Sequence, residues 1–393
     1  MQHADQVAYL ERMLRMVRTN TRDDGPGLSY TAVEAYFDPE RYRREVGLMF
    51  RRQPVVVGFS GQLRRPGDFV THDQTGQPIL VARGTDGVLR AFLNVCRHRG
   101  ARLCLEPCGN VGPVVQCPYH AWSYALDGRL LGAPNIARDE TLERERLGLV
   151  PVALEVWEGL LWASLADDPA PLREQLEPAL RHRFGDLAKF ARYGVGRLVP
   201  GTTVEYDVAA NWKLVVENFM ECYHCAPVHP ELTRLLPEFR QGTSYQGIVG
   251  QGTAFAGDVE AFTLSGSGDR AMLPGLLPED ARLYYGFVLW PNVFVNLLPD
   301  HVILHVLTPL GPERSHVRCD WLFMPEEVAR HGFDPRDTVD VFDITNRQDW
   351  AVCERTQLGM RSRAYAAGGL YVTNEQHIAA FRDLVLERLG ETT

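Results

Sequence analysis

No stretch of this chain approaches the roughly eighteen uninterrupted apolar residues that a membrane-spanning helix needs. Even the apolar run around Val302 to Leu307 is broken by His305. The first residues, Met1-Gln2-His3-Ala4-Asp5, lack the basic and then apolar runs of a secretory signal, so a cytoplasmic protein with no membrane partner is expected. A basic surface is missing too: 41 Lys and Arg against 50 Asp and Glu leave a formal net charge of −9. Such a chain offers no broad field to a polyanion, which argues against nucleic acid as a partner. Cysteine is scarce, eight residues in 393, too few for a disulfide scaffold in a chain this long. There is no internal repeat and no low-complexity tract.

What is present is ordinary in bulk and uneven in detail. With 45% hydrophobic and 23% charged residues the composition is that of a globular protein, and the length allows roughly two or three domains. Tyr9, Leu10, Met13, Leu14 and Val17 recur at helical spacing and predict an amphipathic helix. From about Arg52 the texture becomes short apolar runs, such as Val55-Val56-Val57 and Ile79-Leu80-Val81, separated by Gly, Pro and Asp. That pattern predicts antiparallel strands up to Leu165. Beyond it, 171–190, 211–225 and 336–363 read as helices, whereas 283–298, 301–308 and 316–324 are rich in strand-forming residues. The expected class is α+β. A helical segment, 1–51, packs on a larger α+β domain, 167–393, in which helices flank an antiparallel sheet, and a small all-β domain occupies 52–166.

The cysteines are not scattered. Four lie between 96 and 117, and two, Cys222 and Cys225, sit beside histidines. Cys96-Arg97-His98 is followed, after 18 residues, by Cys117-Pro118-Tyr119-His120-Ala121-Trp122. Each half offers one thiolate and one imidazole. Zinc also accepts two Cys and two His, but zinc halves usually pair like with like. A [2Fe–2S] centre with two Cys on one iron and two His on the other needs mixed halves, and the neutral imidazoles raise its potential. Cys104 and Cys108, between the halves, are expected not to be ligands.

The second constellation is Glu221-Cys222-Tyr223-His224-Cys225-Ala226-Pro227-Val228-His229. Glu221 and His224, three apart, are expected on one helix face. Pro227 disfavours continuation, so His229 can turn back toward His224. Two such histidines supply part of a facial triad, the arrangement that leaves open positions on a non-haem Fe(II). Asn218 precedes Glu221 by one turn and is a candidate polar neighbour of the site, with local packing as the alternative. Cys222 and Cys225 have redox-pair spacing, but without a βαβ context they are expected to be small packing residues.

Cys-x-His with Cys-Pro-Tyr-His-Ala-Trp resembles the Rieske domain of the ring-hydroxylating oxygenase family, and the resemblance spans roughly residues 30 to 385. It implies a [2Fe–2S] cluster on Cys96, His98, Cys117 and His120, and a mononuclear Fe(II) on His224, His229 and a late carboxylate. Asp349, with Glu354 five residues on, fits the family's pattern; Asp343 and Glu354 are the fallbacks. The resemblance further implies a homotrimer in which Glu221 bridges its own His224 to a neighbour's His120. It implies electrons from NAD(P)H through a separate flavin/iron–sulfur reductase, with O2 and a small molecule as substrates. Glu221 together with Gln348-Asp349-Trp350 is most similar to the branch acting on glycine betaine, choline and carnitine. Tyr284, Tyr285, Phe287 and Trp290 are candidates for an aromatic face toward a quaternary cation, or for ordinary core. Arene hydroxylation is the alternative activity. A Rieske electron carrier is the non-enzyme alternative, which would have no use for His224, His229 and Asp349.

Overall fold

A computed structural model of the chain describes residues 28–391, apart from 75, 137–140, 185, 243–251 and 373–374, together with Val7, Glu11, Leu14 and Arg18. The helix expected over 9–17 lies largely outside the described residues.

The short apolar runs fold into one antiparallel seven-stranded sheet. Its order is Val55–Phe59, Leu160–Ser164, Pro151–Trp157, Leu89–Leu93, Gln77–Arg83, Asp68–Gln74 and Cys108–Asn110. Val114–Gln116, Ser123–Ala125 and Leu130–Gly132 form a smaller three-stranded sheet beside it. The apolar residues between these sheets, including Phe69, Leu80, Phe92, Trp122, Tyr124 and Leu126, make a core separate from those of the second domain. Cys96 and Cys117 are buried at its rim.

The second sheet has six antiparallel strands in the order Val199–Val208, Arg314–Phe323, Val302–Gly311, Val293–Leu297, Leu283–Leu289 and Thr253–Ala254. Its central strands are buried on both faces, which explains their continuous rather than alternating apolar sequence. On one face lie Leu172–Phe184 and Leu187–Ala191. On the other lie Trp212–Met220 and the 25-residue helix Arg336–Met360. Asn211 caps the first of these by accepting a hydrogen bond from the Lys213 amide at 3.0 Å.

The chain's early residues tie down this second face. Ser29–Thr31 pairs with Gly369–Tyr371 as a two-stranded ribbon. Glu45, at the end of Pro39–Glu45, is fully buried and accepts from Trp212 Nε1 at 2.9 Å and Lys213 Nζ at 2.5 Å. A buried carboxylate needs such partners, because desolvation alone would cost several kcal/mol. Among the described residues, no helix is long and apolar enough to cross a membrane.

Two sequence expectations change here. The helix read over 211–225 stops at Met220, and Glu221 is extended at φ −133° and ψ 157°. Cys225–Val228 is a separate single turn with Pro227 as its third residue, and within a first turn proline is tolerated. Cys222 and Cys225 are joined as a disulfide instead of packing as free thiols. Cys222 lies in the break after Met220, and Cys225 opens the following turn.

Candidate metal centres

The two cluster loops share one design. In the first, the Cys96 amide donates to Ala101 O at 2.8 Å and Gly100 N donates to Cys96 O at 3.0 Å. In the second, the Cys117 amide donates to Trp122 O at 2.7 Å and Ala121 N donates to Cys117 O at 3.1 Å. Each loop thus closes on itself with a left-handed residue four places after the cysteine, Gly100 at φ 76° and Ala121 at φ 58°. The two cysteines are buried and the two histidines exposed. His98 and His120 have ring centroids 4.8 Å apart, and His98 stacks on Trp122 at 4.9 Å. Tyr124 OH lies 3.3 Å from Cys96 Sγ and accepts from the Arg97 amide at 3.0 Å. Burial pushes the Cys117 thiol above its ordinary pKa, so a bound metal must displace its proton. Two inner sulfurs and two outer imidazoles fit the mixed ligation of a Rieske centre.

Cys104 and Cys108 stay out of this arrangement. Cys104 is buried, its thiol is pushed up to about 11 by burial, and its backbone is held by Asn94. Cys108 is exposed on the edge strand Cys108–Asn110.

In the second domain, His224, His229 and Asp349 converge. His229 Nε2 is 2.8 Å from Asp349 Oδ1, His224 Nε2 is 3.2 Å from the same oxygen, and the two imidazole nitrogens are 3.2 Å apart. Three donors at right angles and about 2.1 Å from one ion would be separated by about 3 Å, so the set fits a facial triad. Cys225 also lies near both histidines, but its sulfur is bonded to Cys222. The fallback carboxylates are engaged elsewhere. Asp343 accepts from Tyr206 OH at 2.7 Å, and Glu354 accepts from the Ala209 amide at 3.0 Å.

The outer nitrogens of both histidines are held. Glu221 Oε1 takes His224 Nδ1 at 2.5 Å, through a turn in which Glu221 Oε2 accepts from the amides of Tyr223 and His224. The Glu221–His224 pairing therefore arises from this turn, not from a shared helix face. It also engages the second carboxylate oxygen, Oε2, which accepts from two backbone amides. Gln348 Oε1 holds His229 Nδ1 at 2.7 Å while its amide donates to Glu231 at 3.3 Å. Such partners fix the tautomer and leave each Nε2 available to a metal. Gln348 went unassigned as a site residue in the sequence; its place beside Asp349 on an inward helix face was the available signal. Asn218 Nδ2 lies 3.4 Å from His224 Nε2, a long contact. Burial opposes charge on His224, but its hydrogen bonds to Asp349 and Glu221 outweigh that and raise its pKa to about 10. A divalent cation bound at Nε2 would displace that proton.

The four aromatic candidates do not share a face. Alternation along Leu283–Leu289 sends Tyr284 toward Phe262, Phe342 and Phe239, while Tyr285 and Phe287 pack with Phe184 under the other helices. Trp290 packs with Trp212 and Phe381. On the iron side, Phe219 stacks on Phe294 at 4.6 Å and both face His305. His305 is bonded to Asn296 and Asn346, and burial lowers its pKa to about 4, so the ring is neutral.

A small all-β domain carrying paired Cys/His loops, followed by an α+β domain carrying a two-His-one-carboxylate set, defines a two-centre oxygenase. The comparisons agree: residues 53–152 match the Rieske [2Fe-2S] domain, and residues 195–391 match the ring hydroxylating alpha subunit (catalytic domain). The chain belongs to this family of Rieske non-haem iron oxygenases, enzymes that carry a [2Fe–2S] cluster and a mononuclear iron. It is 32% identical to the glycine betaine monooxygenase oxygenase subunit of Chromohalobacter salexigens, over 88% of this chain and 83% of the relative. It is 29% identical to the carnitine monooxygenase oxygenase subunit of Acinetobacter baumannii, over 92% and 95%. A crystal structure of a quaternary ammonium Rieske monooxygenase with L-carnitine superposes with a TM-score of 0.72 at 25% identity, covering 93% of this chain and 97% of that one. Naphthalene 1,2-dioxygenase from Rhodococcus shares the fold, with a TM-score of 0.70 at 19% identity over 93% of this chain and 95% of that one.

Proposed function

We propose that this oxygenase hydroxylates an N-methylated ammonium compound, at a methyl group or an adjacent carbon, with electrons from NAD(P)H delivered by a separate flavin/iron–sulfur reductase. In this reading Cys96, His98, Cys117 and His120 hold the [2Fe–2S] cluster, and His224, His229 and Asp349 hold Fe(II). The observation that carries the iron assignment is the mutual 2.8–3.2 Å spacing of those three donors. The substrate class is supported by the quaternary ammonium substrates named for the betaine and carnitine relatives.

Iron, when bound, supplies the activation of O2. The protein's residues do the rest. Glu221 and Gln348 orient the two imidazoles, and Asn218 stands beside the metal-facing nitrogen of His224. In a homotrimer, Glu221 would also meet a neighbour's His120 and so carry electrons between subunits. Tyr284, Phe262 and Phe342 pack together in the core on the iron side of the sheet, and in this reading the aromatic face toward the cation is drawn from them. The neutral ring of His305 adds no repelling charge there. A hydroxylated N-methyl group leaves as formaldehyde.

The test is O2 uptake with the reconstituted reductase. A betaine-type substrate should stimulate uptake and release formaldehyde. A neutral isostere should bind more weakly by about 1–2 kcal/mol, the range for a desolvated cation–π contact. Equal activity on the neutral isostere would sink the ammonium reading in favour of arene-type substrates.

A further inference from the structure

The face of the Trp212–Met220 helix turned away from the sheet carries a buried group that metal binding leaves unused. Tyr36 OH donates to Glu217 Oε1 at 2.7 Å and lies 2.7 Å from Tyr371 OH, which in turn reaches Glu217 at 3.4 Å. The three residues are 2%, 7% and 8% exposed. They stand between two cavities. One, about 250 Å³, is lined by Arg41, Lys213, Arg382 and Glu391 as well as by Tyr36 and Glu217. The other, about 210 Å³, is lined by the same Tyr36 and Glu217 and by Asn218, Glu221, His224 and Tyr371. At about 30 Å³ per water, each has room for several.

Monooxygenation of R–H consumes O2, two electrons and two protons, and yields R–OH and water. The electrons enter through the cluster, so the protons need a route of their own. We propose that Glu217 is the proton donor for this reaction, releasing its carboxylic acid proton into the cavity beside Glu221 and His224 and regaining it from the other cavity through Tyr36. In each transfer the Glu217 O–H bond breaks and an O–H bond forms on cavity water. The Tyr36 O–H bond, already directed at Oε1, then breaks to reprotonate Glu217 as the phenol oxygen takes a proton from water of the other cavity, in one concerted relay; burial holds the phenol well above its ordinary pKa, so no phenolate forms. No residue is changed after the cycle.

The surroundings suit the role. Burial pushes Glu217 up to about 8, against the opposing hydrogen bond of Tyr36, the charge of Lys213 and the bond from Tyr371, with Glu375 raising it further. Tyr365, from the turn Arg363–Tyr365, and Cys353, on Arg336–Met360, also feel its charge, and Glu221 raises Glu375 in turn. A carboxyl with that pKa is mostly protonated at pH 7 and loses its proton as pH rises through 8, close to the operating range that suits a general acid.

This inference rests on the iron assignment above, and its test is separable from the substrate reading. Infrared spectra of the full-length protein in H2O and D2O should contain a protonated-carboxyl band that titrates away between about pH 7 and 9 and is missing in Glu217→Gln. That variant keeps the size and the acceptor for Tyr36, so cluster and iron should load normally. Substrate-triggered reoxidation of the reduced cluster, normalised to bound iron, should slow by roughly a hundredfold and change its solvent isotope effect. Glu217→Asp should restore the band and most of the rate, whereas Tyr36→Phe should keep the band but slow repeated turnover. The absence of the band, or a wild-type rate and isotope effect in Glu217→Gln, overturns the proposal. So does a loss of iron or fold in Glu217→Gln that Glu217→Asp repairs without recovering rate. Should no ammonium compound prove to be a substrate, the same measurements apply with any compound that triggers reoxidation.

Discussion

The two metal-binding regions solve the same problem, gathering four or three donors, in opposite ways. The cluster loops lie within one small domain, repeat one hairpin-like design, and leave their imidazoles exposed. The proposed iron donors come from a broken helix and from a residue 120 positions later, and His229 is buried. Exposed imidazoles suit a centre that must pass electrons outward. Buried donors suit one that must keep water from reactive oxygen chemistry. The difference teaches that local backbone geometry specifies the first site, whereas helix packing specifies the second.

Removing one donor on each side tests this separation most severely. Asp349→Ala or His229→Ala should abolish turnover and mononuclear iron binding yet leave the rhombic EPR signal of the reduced cluster intact. His98→Ala should do the reverse, losing the cluster absorbance while iron still loads. Wild-type iron content and rate in Asp349→Ala would be fatal to the triad.

A smaller effect should follow from loosening an iron donor without deleting it. Gln348→Ala frees His229 Nδ1, and outer partners of this kind typically contribute 10–100-fold in metal affinity or activity. Iron titration of the apo-protein should weaken within that range. An unchanged affinity would mean that packing alone holds the His229 ring.

The loops offer a subtler contrast. Gly100 and Ala121 occupy equivalent left-handed positions, and a Cβ built on Gly100 meets nothing within 4 Å. Gly100→Ala should therefore cost only backbone strain, about 1–2 kcal/mol, and Ala121→Gly should recover part of a similar cost. Thermal denaturation monitored by cluster absorbance measures both. A stabilising Gly100→Ala or a destabilising Ala121→Gly would break the equivalence of the loops. Smallest of all, Cys108→Ser should leave the cluster absorbance at its wild-type level, because the side chain is an exposed strand residue.

Legibility in the sequence followed the range of the interactions. The α+β class, the two sheets and the 336–360 helix were readable because strand and helix periodicities are local. The proposed cluster ligands were readable as a group because Cys96–His98 and Cys117–His120 are short motifs. The helix end at Met220 was not, since nothing in Trp212-Lys213-Leu214-Val215-Val216-Glu217-Asn218-Phe219-Met220-Glu221 signals a stop. A side-chain turn at Glu221 and the Cys222–Cys225 bond decide it. The aromatic face failed for a related reason: proximity in sequence along a strand separates neighbours onto opposite sides.

By itself, then, the order of residues determined which chemistries the chain can host: mixed Cys/His halves for an iron–sulfur cluster, and two histidines with an acid for a mononuclear metal. Only the tertiary structure decided which of Asp343, Asp349 and Glu354 turns inward, that Gln348 holds His229, and that Glu217 sits between two cavities with Tyr36 and Tyr371. Those choices depend on how helices rotate against a sheet and on which segment of the early chain covers them. The free energy of such packing is summed over many distant contacts, and no short stretch of sequence carries it.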